Sequence, residues 1–372
     1  MEFTLLLVGF EFIVLCFFSF FSKIRKDNFR IGLITILVIF YVVCCYFRPL
    51  NFRDTSVYIN DFNNAEWRDL VNINLFGKEP KSYTEYGFVF LMLVFKSIGF
   101  SFRGFSALIS VFNMFSLYAF TVCICKHIDS SNNPSNHEFL AFFAVYLPVY
   151  GVFYNFVAVR SSLSFAFIAI AACFLFHKRY FIFCLFIFVS FCVQRMSLLA
   201  LLPLLIILLR NRFKINRNIF VVAWILLGML LMVDYWFNSF MFIGKWMQDI
   251  WNSIMETDIS IGLNKSDSHA LKRLLLYLAY WFNGLVYISI FKKEKFYNAL
   301  CYIYLVALLI SICVSGFSAS YRIVDYLFLF SLPINYMVIK NNGNCIKLSS
   351  VFVFFTYCMF ILSWGLSYYQ WI

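Results

Sequence analysis

The chain has 372 residues, of which 63% are hydrophobic and only 13% charged, and its mean hydropathy is +0.83; most of it has no water-facing side, which excludes a soluble globular fold. The net charge of +12 would suit a nucleic-acid partner, but basic residues that flank apolar runs are first a signal of membrane topology, so no nucleic-acid partner is expected. The apolar runs recur from end to end at lengths that cross about 30 Å of hydrocarbon as helices, and none alternates as a barrel strand does, so the class is all-α and polytopic in a membrane.

The first run, residues 3–21, is followed rather than preceded by basic residues (Lys23, Arg25, Lys26, Arg30) and lacks a small-residue cleavage site, which reads as a retained helix and not a secretory signal. Basic clusters at 23–30, 178–179, 210–217, 292–295 and 340–347 are expected on the cytoplasmic side. With these placed inside, the second run (31–47) exits, and the segment from Arg48 to Glu85 lies outside. Four apolar runs (86–100, 105–125, 138–155 and 160–176) then precede Lys178, one more than the parity allows. The weakest, 86–100, carries Lys96 and ends in the breaker GFSFRG, so it is assigned as a re-entrant or interfacial half-helix.

Further crossings follow at 180–194, 196–209, 219–237, 274–291, 296–315, 321–339 and 348–367. The map has about twelve transmembrane helices, both termini outside, in a single domain spanning 1–372 with external loops near 48–104 and 238–273. In the second loop the spacing of Trp and Met predicts an amphipathic interfacial helix followed by a polar stretch. The basic excess of the chain falls on the segments this map places inside. The 12 cysteines lie almost entirely in apolar runs, without ligand spacing, and behave as small hydrophobes; no disulfide, metal site or cofactor is expected. Phosphate-binding glycine loops and solenoid repeats are absent.

The residues that point to chemistry are arginines at the outer ends of different helices: Arg48, Arg53, Arg103, Arg160, Arg195, Arg273 and Arg322. Arg160 (NFVAVRSSLSF), Arg195 (FCVQRMSLL) and Arg322 (SASYRIVDYLF) are embedded in apolar sequence, where an isolated guanidinium is costly unless it is paired or faces water. Either each pairs with a carboxylate such as Asp54, Glu85 or Asp325 or reaches lipid headgroups, or several gather to grip one anionic group. The planar fork of arginine suits phosphate oxygens, so a gathering on one face points to an anionic lipid headgroup, and a pyrophosphate offers several such oxygens. Asp54 and Glu85 are candidates for a general base toward a substrate hydroxyl, or else they orient the arginines. Tyr58 would stack on a sugar or close the loop. His127, His137 and His177 map to the cytoplasmic side as solvated residues, and His269 is the one external histidine.

The stretches FRPLNFRDTSVYINDF, TEYGFVFLMLVF, VAVRSSLSFAF, CVQRMSLLALLPL and YRIVDYLFLFSLP, in this order over residues 47–333, resemble the EpsG-like branch of the Wzy polymerases. The resemblance implies a glycosyltransferase that polymerises O-antigen or exopolysaccharide repeat units on the outer face of the bacterial cytoplasmic (inner) membrane. It would move a growing glycan from one undecaprenyl pyrophosphate to the non-reducing sugar of another lipid-linked unit, with Arg48, Arg160 and Arg322 holding pyrophosphate. The implied partners are undecaprenyl-pyrophosphate-linked glycans and membrane lipid, with a chain-length regulator protein as a further candidate. One departure stands out: where the family tends to read His-x-Ser-Ala-Leu, this chain has Arg195, Met196, Ser197, Leu198 and Leu199, so a histidine base is not available there; if the chemistry needs a base, Glu85 or Asp54 supplies it, and otherwise the acceptor's own geometry suffices. An O-antigen ligase uses the same chemistry on a different acceptor. A flippase or transporter would want midplane charges and two related halves, which the sequence does not display, and a membrane acyltransferase would want an embedded histidine beside an arginine.

Overall fold

The computed structural model describes residues 27–48, 53–72, 85–128, 137–156, 158–212, 214–237, 246, 249, 267–292, 294–313, 320–340 and, apart from 350 and 354, 349–360. Among them every regular element is helical. In chain order these are α1 (Asp27–Tyr46), α2 (Arg53–Asn64), α3 (Trp67–Asn72), α4 (Tyr86–Ser97), α5 (Phe102–Ile128) and α6 (His137–Tyr146). They continue as α7 (Val159–Phe176), α8 (Tyr180–Val193), α9 (Leu201–Leu208), α10 (Arg217–Phe237), α11 (Asp267–Ser289), α12 (Lys295–Cys313), α13 (Ser320–Phe328) and α14 (Leu332–Lys340). An apolar helix at Val351–Phe360 follows.

Phe102–Ile128, Val159–Phe176, Arg217–Asp234 and Lys295–Cys313 are each long and apolar enough to cross a membrane, and shorter apolar helices accompany them. The chain is thus a helical membrane protein. The first expected crossing (3–21) lies outside the described residues, as does most of the 238–273 segment. His269 falls in the first turn of α11, not in a loop.

Three crossings expected as plain helices are modified by proline. Pro148 cannot donate to the carbonyl four residues back, and the helix begun as α6 continues from Leu147 to Tyr154 with the wider π pattern. Pro203 and Pro333 sit in the first turns of α9 and α14, where the missing N–H costs nothing. Each helix is entered through a tight 3₁₀ turn, Arg195–Ala200 and Leu329–Ser331.

The bundle is built around α5, α7 and α8, packed side by side, with α12, α13 and α14 completing the main core. Trp224 of α10 and Trp281 of α11 stack at 4.8 Å and exchange indole N–H bonds to each other's carbonyls at 2.8 and 3.2 Å, fixing those two helices together.

The two ends of the bundle differ in character. At one end the exposed ring of His127 lies 5.0 Å from Phe176 and 5.8 Å from Phe296, and the short turn Arg210–Arg212 packs on α12. The basic clusters of several helices therefore share this end. At the opposite end Gln194, extended at φ −153 and ψ 113, reverses the chain between α8 and the 3₁₀ turn, and the Ser161 hydroxyl in the first turn of α7 donates to its Oε1 at 3.1 Å. This reversal makes 180–193 and 195–208 two separate apolar helical segments.

Candidate active site

The site assembles at the end marked by Gln194, from four stretches far apart in sequence. The segment after Arg48, expected as an external loop, contains α2 and α3. Helix α2 forms because Tyr58 and Phe62, four residues apart, present one apolar face while Asn60, Asn63 and Asn64 face outward. Tyr58 packs edge-on against Phe88 of α4 at 5.5 Å, and Phe62 stacks on Phe105 of α5 at 5.7 Å.

Lys96, anomalous in an apolar run, finds its reason here. Its ammonium donates to the carbonyls of Asn63 at 2.7 Å and Ala65 at 2.9 Å, satisfying the C-terminal end of α2. Arg103 does the same for α1, donating from Nη1 to the Tyr46 carbonyl at 3.4 Å. Both cations are structural caps on helix ends that carry partial negative charge.

Glu85 precedes the first residue of α4, and its carbonyl accepts the N–H groups of Phe88 and Val89 at 3.0 and 3.1 Å. Its carboxylate is half-buried and forms an ion pair through Oε2 with Nη1 of Arg160, which lies in the first turn of α7. The backbone N–H of Arg195 approaches the other oxygen, Oε1, at 3.5 Å. The Arg160 guanidinium lies 5.9 Å from the Tyr58 ring centroid, a cation–π arrangement.

Gly87 makes this convergence sterically possible. A Cβ there would lie 2.8 Å from the carbonyl carbon, carbonyl oxygen and Cβ of Cys192, so only glycine lets α4 approach the last turn of α8 and bring Glu85 to Arg195.

Arg48 is fully buried against the residues that precede α7. Its Nη1 donates to the Asn155 carbonyl at 2.6 Å, and its guanidinium lies 5.3 Å from the Phe102 ring centroid. Thr55 of α2 donates to the neighbouring Phe156 carbonyl at 3.3 Å. Asn155 is held in turn: its amide donates to the hydroxyls of Tyr41 and Tyr146, and its Oδ1 accepts the Ser162 hydroxyl. Tyr146 also donates to Asn113 Oδ1 at 2.9 Å, and Asn113 donates to the Ser162 carbonyl at 2.7 Å. A buried polar network of this kind fixes geometry because any broken member leaves a desolvated group unpaired.

Of the residues expected from sequence, the structure thus brings together Glu85, Arg160, Tyr58 and the backbone of Arg195, while Arg48 is tied to the Asn155 carbonyl, five residues before Arg160. The carboxylate–arginine pairing held open as one alternative is realised between Glu85 and Arg160. Tyr58 is buried against α4 and α5, so it supports the site from beneath rather than standing over a loop. Arg53 and Asp54 form the first turn of α2 and Arg322 lies in the first turn of α13, but their side chains are outside the described residues. Asp325, named as a possible arginine partner, accepts hydrogen bonds from the hydroxyls of Tyr154 and Tyr280. Sequence reasoning missed Asn155, Gly87 and the Asp325 contacts; Pro148 and Gly151, which disturb the helix just before Asn155, were the available signal for the first.

A bundle of apolar helices with guanidinium groups and a carboxylate drawn to one end defines a polytopic membrane protein with a charged, half-buried cluster at that end. The chain belongs to the EpsG family, whose model matches residues 31–372. No curated protein and no solved structure matches it.

Proposed function

We propose that the protein is a polysaccharide polymerase that joins lipid-linked oligosaccharide repeat units, transferring a growing glycan from one undecaprenyl pyrophosphate to the non-reducing sugar of another. The observation that carries this reading is the half-buried Glu85–Arg160 pair, together with Arg48 buried on the carbonyl of Asn155, in a chain of the EpsG family. Arginine at this end opposes the usual charge bias of membrane proteins, and an anionic lipid headgroup rewards it.

In this reading Arg48, Arg53, Arg160, Arg195 and Arg322 form the pyrophosphate cradle. A guanidinium carries five N–H donors in a planar fork, so the carboxylate on Nη1 of Arg160 does not exhaust its capacity. Guanidinium groups offset the charge that develops on the departing pyrophosphate. Glu85 takes the proton from the acceptor hydroxyl as that oxygen attacks the anomeric carbon and the bond to pyrophosphate breaks. Its Oε1, met by the Arg195 N–H only at 3.5 Å, is the oxygen presented for this step. Asp54, in the first turn of α2, supports Arg53 and the loop.

The proposed setting is the bacterial inner membrane, with this end facing the periplasm or cell exterior, about twelve crossings, and both termini outside. As a helix of 12 residues, α4 spans only about 18 Å at 1.5 Å per residue, which suits a re-entrant half-helix better than a crossing. A chain-length regulator is a fitting partner for such an enzyme.

The test is the glycan profile of a deletion strain. Single repeat units on the final acceptor, restored to a ladder by the wild-type gene, support polymerisation. Polymer left on its lipid carrier points instead to a ligase, and absence of exported units to a flippase; either outcome overturns the reading.

A further inference from the structure

Asp325 is a carboxylate buried in the helical core, 1% exposed, and the proposed chemistry does not use it. Its two oxygens are taken by two phenols from different elements: Oδ2 by Tyr154, at the end of the π-helical stretch, and Oδ1 by Tyr280 of α11. Buried carboxyl groups are rare among apolar helices and persist where they do a specific task.

The task is indicated by what lies next to each partner. Tyr154 precedes Asn155, whose carbonyl anchors Arg48 at 2.6 Å. Asp325 lies one helical turn after Arg322 in α13. Tyr326, the next residue, donates to Ser164 Oγ at 3.1 Å, and Ser164 lies one turn after Arg160 in α7. The rings fill the gap between these bonds: Phe165 packs on Tyr154 at 4.7 Å and on Tyr326 at 4.5 Å. Tyr280, stacked on Phe328 at 4.1 Å, braces α13 from the other side.

We infer that Asp325 is a positioning residue: through Tyr154 and Tyr280 it registers the helix bearing Arg322 against the segment that anchors Arg48, and adjacent Tyr326 does the same for the helix bearing Arg160. This rests on the reading of those arginines as one pyrophosphate cradle. Three guanidinium groups from distant parts of the chain must hold a common spacing to share one diphosphate. A carboxylate with an acceptor on each side ties α13 to two elements where a single hydroxyl pair ties it to one.

The experiment measures affinity for inorganic pyrophosphate and thermal stability, using purified full-length protein in lipid nanodiscs, for Tyr154→Phe, Tyr280→Phe, Asp325→Asn, the single alanine variants of Arg48, Arg160 and Arg322, and Tyr154→Phe combined with Arg322→Ala. The positioning role predicts about tenfold weaker binding for Tyr154→Phe, within the roughly 10²-fold that a 1 Å misplacement can cost. It also predicts that Tyr154→Phe adds little further loss once Arg322 is alanine, because a positioning residue acts through the group it positions.

Wild-type affinity in Tyr154→Phe, or losses that multiply in the double variant, overturn the inference while leaving the cradle intact if the arginine variants are impaired. Wild-type affinity in all three arginine variants overturns the cradle itself. If neither tyrosine variant yields folded protein, the hydroxyls are structural and the inference fails.

Discussion

The exchange of Glu85 for glutamine separates the two tasks that its carboxylate can perform. Glutamine keeps the volume and one acceptor oxygen, so the contacts to Nη1 of Arg160 or to the Arg195 N–H persist in neutral form, while the negative charge and the ability to accept a proton are lost. The side chains of Arg160 and Glu85 are 13% and 17% exposed, between a surface pair and a fully buried one, so losing the countercharge costs about 1–3 kcal/mol of stability. As a general base, Glu85 contributes on the order of 10²- to 10⁴-fold to turnover. The predicted phenotype is therefore a protein that inserts, melts several degrees early, binds the lipid-linked donor within about tenfold of wild type and is nearly inactive. Calorimetric donor binding, a detergent melting curve and single-turnover assays on purified enzyme measure these separately. Near-normal turnover would mean that Glu85 only holds Arg160 in place, refuting the base assignment; the acceptor proton would then go to another group, with Asp54 next.

Three further outcomes follow from the same geometry. Gly87→Ala should lose both stability and activity, by about 1–3 kcal/mol for the first, because the new methyl group meets the Cys192 backbone at 2.8 Å and drives Glu85 away from Arg195; a melting curve and polymer ladder read both. Arg48→Lys should impair donor binding almost as much as Arg48→Ala, since an ammonium loses the planar fork that reaches the Asn155 carbonyl while lying over Phe102; titration with labelled donor distinguishes the variants. Activity should survive EDTA in purified enzyme, because guanidinium groups are assigned the leaving-group charge, and rescue of an EDTA-inactivated sample by Mg²⁺ or Mn²⁺ would contradict that assignment.

The apolar runs were legible as helices because membrane burial is written in composition: the expected 105–125, 160–176 and 219–237 correspond to α5, α7 and α10 within a few residues. The turn-back at Gln194 was also legible, since basic clusters on both sides of 180–209 demand it. Helix α2 was not. Its composition is polar, and its one apolar contact face consists of Tyr58 and Phe62, which becomes meaningful only once α4 and α5 lie against it. The arginines stood out against the charge bias, yet sequence could not separate those that cap helices from those that meet at the site. Arg103 and Arg160 look alike in sequence; one reaches the Tyr46 carbonyl and the other Glu85, a difference set by which helix end lies within reach. Asn155 carried no signal as a residue type, because its role arises from hydroxyls contributed by Tyr41, Tyr146 and Ser162 across three elements.

The central claim is tested most directly by reconstituting the purified protein in lipid bilayers with one lipid-pyrophosphate-linked repeat unit as sole substrate, then following glycan length and released lipid pyrophosphate together. The account predicts a ladder of products, one equivalent of lipid pyrophosphate freed for each new linkage, and loss of both signals in Arg160→Ala. Movement of intact lipid-linked units across the bilayer with no change in glycan length, or a ladder undiminished in Arg160→Ala, would contradict it.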